Sequence, residues 1–220
     1  MAKKASYGND DIVSLKGPDQ VRKRPAVIIT KLKGADRVRL RPAVIFGSDD
    51  IEGCQHSVFE ILSNSIDEAR EGFGDKIVVT RYLDHSVEIQ DFGRGIPVDY
   101  NTKEKKFNWE LVFCALYAGG KYSKGGDNSY GYSLGLNGLG LCATQFASEY
   151  MEAEIHRDGL CYKLNFKKGK LVGQMEKEPY TKRDTGSRIK WRPDLDVFTD
   201  INIPLEYYQE TLKKQAVANA

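Results

Sequence analysis

The sequence predicts an α/β protein of one globular domain, or of two small ones, and three observations carry that reading. A helix-period pattern occupies residues 51–72, period-two runs follow it in two groups, and the composition is ordinary, with 220 residues, 40% hydrophobic, 29% charged, 21 Gly and 7 Pro. Such a composition excludes a collagenous, disordered or disulfide-scaffold chain, and this length buries enough surface for a core. The longest apolar run, residues 111–118, falls well short of the ~20 residues that cross a bilayer. No apolar stretch follows the start MAKKASYGNDD, so no secretion signal is expected and the expected location is the cytoplasm. Cys54, Cys114, Cys142 and Cys161 form no C-x-x-C pair and His56, His85 and His156 share no metal-ligand spacing, which predicts free thiols.

Net charge is +2, but its distribution is uneven. Residues 15–41 hold nine Lys or Arg against two Asp, a local +7 that leaves −5 for the rest. The same stretch contains a duplication, because LKGPDQVRKRPAVI at 15–28 recurs as LKGADRVRLRPAVI at 32–45 with eleven of fourteen positions identical. Two copies are too few for a solenoid, so the repeat is read as local.

The elements after the duplication follow in order. Over residues 51–72, Phe59, Leu62, Ile66 and Ala69 share an apolar helix face, while Glu60, Asn64, Asp67 and Glu71 fall opposite, and Gly72 and Gly74 stop the helix. Runs 76–82 and 86–90, separated by Asp84 and His85, read as a hairpin that ends in the turn-forming cluster DFGRGIP at 91–97. A second helix is expected over 108–118, with Trp109, Val112, Phe113 and Leu116 at core spacing. Eight glycines within residues 119–140 predict a flexible segment. Strand-like runs at 150–156, 160–166 and 186–191 and a helical tail at 204–220 complete the chain.

Several motifs compete for the chemistry. Gly131 to Gly135 spells G-x-S-x-G, but a nucleophile elbow needs a preceding strand and later Asp and His partners, whereas this one lies in a glycine-rich loop with only His156 after it. No G-x-x-x-x-G-K-[ST] occurs, which excludes a P-loop. The run Gly135-Leu136-Asn137-Gly138-Leu139-Gly140 is by itself more common as a mobile surface loop. In combination with the polar helix face Glu60/Asn64 and the strand-end Asp91-x-Gly-x-Gly, in that order, it takes on a different meaning.

These stretches, with LKGADRVRLRPAVIFGS, HSVFEILSNSIDEAREG, VEIQDFGRGIPV, ALYAGGKY, DNSYGYSLGLNGLG and DTGSRIKW, resemble the GHKL ATPases, specifically the N-terminal ATPase domain of the B subunit of bacterial type IIA topoisomerases. The resemblance runs from about Tyr7 to the end. It implies a Bergerat two-layer α/β sandwich, a mixed sheet with helices on one face, and an ATP- and Mg²⁺-dependent activity. It implies Glu60 as the general base for the attacking water and Asn64 as the Mg²⁺ ligand. Asp91 would accept the adenine amino hydrogen, with Ser187 as its hydroxyl neighbour, and Gly95, Ile96 and Pro97 would wall the base. Lys121 and Gly135, Leu136, Asn137, Gly138, Leu139 and Gly140 would close over the phosphates. The arm holding Tyr7 would reach a second subunit on ATP binding, and the A subunit and DNA would be met through regions outside this chain. On this reading residues 1–50 are an arm with the duplicated segment and 51–203 the ATPase domain. Residues 204–220 are then a tail leading to a transducer domain, so that the chain is an excised domain.

Elementary chemistry agrees with these roles. Phosphoryl transfer to water needs a base in hydrogen-bond reach, a hard oxygen for Mg²⁺ and donors for the developing charge. A carboxylate and an amide one helical turn apart serve one water and one metal, and glycine N–H groups approach phosphate where side chains would clash. An Asp accepts from adenine's amino group and offers nothing to guanine's carbonyl. Departures from the family pattern are Phe92 where an acid or Asn is usual, Leu134 for the first loop glycine, Ala43-Val44-Ile45-Phe46 for Gly-Met-Tyr-Ile, and Gly131 for a common lysine.

A gyrase-type ATPase is the first reading and the topoisomerase IV type its alternative. Other GHKL ATPases share the site but lack VRxRP before the helix and DNSYGYS in the lid. A different class of reading is a non-enzymatic nucleic-acid module built on the basic repeat, weighed against a solvated basic surface or a buried Arg–acid network. The second repeat copy runs into the helix with family-like spacing, so it is expected inside the fold and the first copy outside it. Deleting residues 15–31 joins Ser14 to Leu32 and restores one unit. The shortened chain is expected to melt at an unchanged temperature and bind ATP equally well, since a tolerated insertion costs only ~0.6 kcal/mol per doubling of loop length. Calorimetry on both chains checks this.

Overall fold

The computed structural model describes residues 13–14, 34–116, 118–119 and 140–219. The first repeat copy, the G-x-S-x-G match, Lys121 and residues 135–139 lie outside the described residues. Strands β2 (Ile77–Arg81), β3 (Val87–Asp91), β7 (Ser148–Arg157), β8 (Leu160–Lys167), β9 (Lys170–Pro179) and β10 (Gly186–Pro193) form one six-stranded sheet in the order β2-β3-β10-β7-β8-β9. Short pairs β1 (Val13–Ser14) with β6 (Ala118–Gly119) and β4 (Tyr100–Asn101) with β5 (Lys106–Phe107) stand apart from it. The α/β two-layer class stands as expected, but the sheet, expected to be mixed, is antiparallel at all of its five pairings.

Alternation along the strands gives the sheet two different faces. Val87, Ile89, Met151, Ala153, Ile155, Tyr162, Leu164, Phe166, Ile189 and Trp191 are buried on one. Their neighbours in sequence, Glu88, Glu152, Glu154, Lys163, Asn165, Arg188 and Lys190, line a polar cleft on the other. The hairpin β2–β3 is closed by Asp84, whose carboxylate accepts from the Ser86 N–H and hydroxyl, and these bonds hold its carboxyl down at about 2. β9 escapes sequence reading because LVGQMEKEP has no clean alternation. It is an edge strand, mostly exposed on both faces.

Helix α3 (Ile51–Arg70) starts where Asp50 caps the Glu52 N–H at 2.9 Å. Its periodicity predicts one apolar stripe and an opposite polar one, yet burial extends over Ser57, Ser63, Ser65 and Asp67 as well. The cause is that α3 is packed on more than one side, against the sheet and against helix α5 (Gly140–Phe146). The expected helix at 108–118 is shorter, α4 (Asn108–Cys114), because Ala115 turns extended and the chain passes into β6. Conversely, the sequence pattern does not reveal α5, since the glycine run before it dominates, and its Leu141, Cys142, Ala143, Thr144, Gln145 and Phe146 are all buried.

Helices α1 (Gly34–Arg39) and α2 (Pro42–Phe46), formed by the second repeat copy and the residue after it, contribute Val38 and Phe46 to the same core. Helix α6 (Leu205–Ala218) buries Tyr208 in the same core and is tied to α3 by a 2.7 Å bond from the Tyr207 hydroxyl to the Gln55 carbonyl. Arg39 donates to Asp194 at 2.7 Å and to the Phe146 carbonyl at 3.2 Å, so this repeat arginine belongs to a buried Arg–acid network. Arg39→Ala leaves the 3%-exposed Asp194 carboxylate without its main counter-charge. A loss of about 3 kcal/mol of unfolding free energy is expected, measured by urea denaturation.

Candidate functional site

Asp91 ends β3 on the covered face of the sheet, where it is 8% exposed. Its Oδ1 accepts from the N–H groups of Gly93 and Ser187, each at 3.1 Å, and its Oδ2 from the Ser65 hydroxyl at 3.0 Å. Those bonds favour the charged form, but burial dominates and holds the carboxyl above the ordinary range. A carboxylate has about four lone-pair positions. With three donors in place, one position at Oδ2 has no donor among the described residues.

The backbone around Asp91 is closely built. Gly186 has φ 144°, and a Cβ there would overlap the Asp91 carbonyl oxygen. Gly95 has φ 78°, and its Cβ would lie 2.7 Å from the His156 carbonyl oxygen. The DFGRGIP turn therefore approaches the backbones of β10 and β7 this closely only as glycine allows. Ser187, expected as the hydroxyl neighbour of Asp91, reaches that carboxylate through its N–H, while its hydroxyl accepts from the Ile96 N–H at 3.0 Å. That bond fixes Ile96, which with buried Gly95 and Pro97 follows Asp91 along one edge of the site.

Along α3 the candidate side chains form a row. Glu60 and Asn64 sit one turn apart, Ser65 holds Asp91, and Glu68 forms a fork with Arg94 through bonds of 2.8 and 3.0 Å. From Glu60 to Glu68 the helix rises about 12 Å. Glu60 is a quarter exposed and its Oε1 lies 3.0 Å from Nε2 of His56, one turn earlier. Its Oε2 fills the space that a Cβ at Gly140 would need, so the last glycine of the G-x-x-G-x-G run makes room for this carboxylate. Asn64 donates Nδ2 to the Glu60 carbonyl at 2.9 Å, a bond that does not engage its Oδ1.

The structure thus brings together Glu60, Asn64, Asp91, Gly95, Ile96, Pro97, Gly140 and Ser187, while Lys121, Gly135, Leu136, Asn137, Gly138 and Leu139 are outside the described residues. Sequence reading missed His56, Ser65, Glu68, Arg94 and Arg157, the last donating to the Gly95 carbonyl at 2.8 Å. The i, i+4 spacing of His56 and Glu60 was a usable signal. Nothing in the spacing of Ser65 or Arg94 pointed to a partner 26 residues away in each case.

Comparison with known proteins decides the family. The chain is 38% identical over 199 residues, 90% of its length, to the B subunit of DNA topoisomerase 4 from Staphylococcus epidermidis. It is 41% identical over 200 residues to the DNA gyrase B subunit of Treponema denticola and 38% identical over 210 residues to that of Thermotoga maritima, covering 91% and 96% of the chain. The chain belongs to the type IIA topoisomerase B subunits. It spans 27–30% of the length of these relatives. No family model matches it. The gyrase and topoisomerase IV relatives match it about equally. Among the described residues, no helix is long and apolar enough to cross a membrane.

Because a raised carboxyl pKa means that the native state binds the extra proton, stability contributed at Asp91 falls as pH rises from the ordinary carboxylate value through the raised one. Ser65→Ala removes one donor and pushes the carboxyl higher still. The expected outcome is a further upward shift in an NMR carboxyl titration and about 1.5–3 kcal/mol less stability at neutral pH.

Proposed function

We propose that this chain is the ATP-binding and ATP-hydrolysing part of a type IIA topoisomerase B subunit, in which hydrolysis is coupled to DNA strand passage. The observation that carries the reading is Asp91, a buried carboxylate with three protein donors and one acceptor position left. Adenine's exocyclic N–H fits that position, and guanine's carbonyl is repelled by it. Ile96 and Pro97 would flank the base, and the row along α3 would then lead from the base to the phosphates.

At the phosphate end Glu60 accepts the proton of a water as its oxygen attacks the γ-phosphorus, the bond to the bridging oxygen breaks, and ADP leaves. His56 holds one carboxylate oxygen and so orients the other. The Oδ1 of Asn64, which the Nδ2 bond does not engage, would suit Mg²⁺, a hard cation that keeps most of its waters, and the metal would neutralise charge on the β- and γ-phosphate oxygens. Lys121 and residues 135–140 would supply the remaining phosphate donors. The A subunit, DNA and a second B subunit, reached through the Tyr7 arm, are the proposed partners, in the cytoplasm.

Two substitutions test the reading. Asp91→Asn keeps the acceptor facing Gly93 and Ser187 but places an NH₂ where the adenine amino group would donate. ADP affinity is expected to fall roughly ten- to a hundredfold, the equivalent of one hydrogen bond to a charged group. Glu60→Gln is expected to leave ADP affinity unchanged and abolish turnover in a chain extended through the following domain. Affinity should also weaken in acid, as Asp91 takes up the proton that burial favours. Calorimetry that finds ADP binding unaltered in Asp91→Asn refutes the adenine pocket.

A further inference from the structure

On the outer face of the sheet, opposite the face that carries Asp91, Glu154, His156 and Cys161 bring a carboxylate oxygen, an imidazole nitrogen and a sulfur within 4.8 Å of one another. Glu154 and His156 are two residues apart in β7 and so share a face, and Cys161 is the direct register partner of His156 in β8. Chain spacing hides this cluster because antiparallel pairing creates it. We propose that these three residues bind a divalent transition metal of the zinc class, independently of the nucleotide site.

Three features support a ligand set over an ordinary polar cluster. Nε2 of His156 is buried and has no hydrogen-bond partner among the described residues, since Oε1 of Glu154, 3.0 Å away, lies out of hydrogen-bonding alignment. Arg188 binds the other Glu154 oxygen at 2.6 Å, which fixes the carboxylate and leaves Oε1 to face the histidine. Tyr180 stacks on the imidazole with ring centroids 3.8 Å apart, and its N–H is tied to the Gly159 carbonyl at 2.8 Å. A metal at Nε2 lies in the ring plane, so this stacking orients the ring without blocking it.

The donor chemistry selects the ion. Sulfur, imidazole nitrogen and a single carboxylate oxygen suit Zn²⁺ or Co²⁺ and disfavour Mg²⁺ or Ca²⁺, which take oxygen. Bonds of 2.0–2.3 Å give tetrahedral edges of about 3.3–3.8 Å, so Nε2 and Oε1, 3.0 Å apart, need to open slightly and the sulfur to close by at most roughly 1 Å, within side-chain rotation. The Cys161 thiol gives its proton to solvent as the metal–sulfur bond forms, and a water completes the fourth position. Arg188 then plays the part of a hydrogen-bonded neighbour that holds a ligating carboxylate in place.

Titration with Co²⁺ tests the site. One equivalent is expected to give a thiolate-to-cobalt charge-transfer band and the visible spectrum of a tetrahedral ion, both displaced by Zn²⁺. Cys161→Ser should abolish the charge-transfer band, His156→Gln should weaken binding at least tenfold, and Arg188→Gln should weaken it about ten- to a hundredfold. Cys114→Ser should leave the band unchanged. Each variant is first melted without metal and titrated with ADP, so that a folding defect is recognised and the nucleotide site is read separately. No charge-transfer band in the wild-type chain, a band that survives Cys161→Ser, or unaltered affinity in His156→Gln overturns the proposal.

Discussion

The carboxylate of Asp91 is out of solvent, and a charge in that position is tolerated only where donors surround it. Those donors come from three separate pieces of chain: a hydroxyl on α3, an N–H in the turn that follows β3, and an N–H on β10. One residue therefore joins the helix layer to two neighbouring strands. Much of the local geometry serves that junction. Gly186 lets β10 pass the Asp91 carbonyl, Gly95 lets the turn pass β7, and the Thr185 hydroxyl donates to the Gly93 carbonyl at 2.6 Å to hold the turn in place.

The sheet divides the chemistry between its faces. Its covered face is apolar except at the end where Asp91 and Ser187 project toward α3. On the proposed function, the carboxylate at the margin of such a face reads the edge of a flat heterocycle, whose rings need apolar walls. The opposite face is charged, and there the same strand pairing gathers Glu154, His156, Cys161 and Arg188. β7 and β10 serve both faces, through residues of opposite parity.

Helix α3 carries the other half of the site. Its row from His56 to Glu68 works because each polar side chain has a specific partner: Glu60 on His56, Asn64 on the Glu60 carbonyl, Ser65 on Asp91 and Glu68 on Arg94. On the proposed function, these contacts fix the side chains before any ligand arrives, which reduces the ordering a transition state would require. Two of the four are one-turn contacts within the helix. The other two reach across to the β3 turn, so the helix cannot slide without disturbing Asp91.

By itself the sequence determined the α/β class, the long helix, the β2–β3 hairpin and the tail helix, and it singled out Glu60, Asn64 and Asp91 as candidates, because each rests on periodicity or on a motif contained in a few consecutive residues. It did not disclose β9, whose edge position removes the need for an alternating pattern, or α5, whose burial is imposed by α3 and the sheet. Nor did it disclose that Asp67 and Ser65 would be buried, that the Ser187 N–H would bond Asp91 while its hydroxyl turned to Ile96, or that Arg94 would fork onto Glu68. Those outcomes depend on which strands lie side by side and in what register. The all-antiparallel pairing decided that Ser187 meets Asp91 and that Cys161 meets His156. Spacing along a chain carries no information about partners that only strand order brings together.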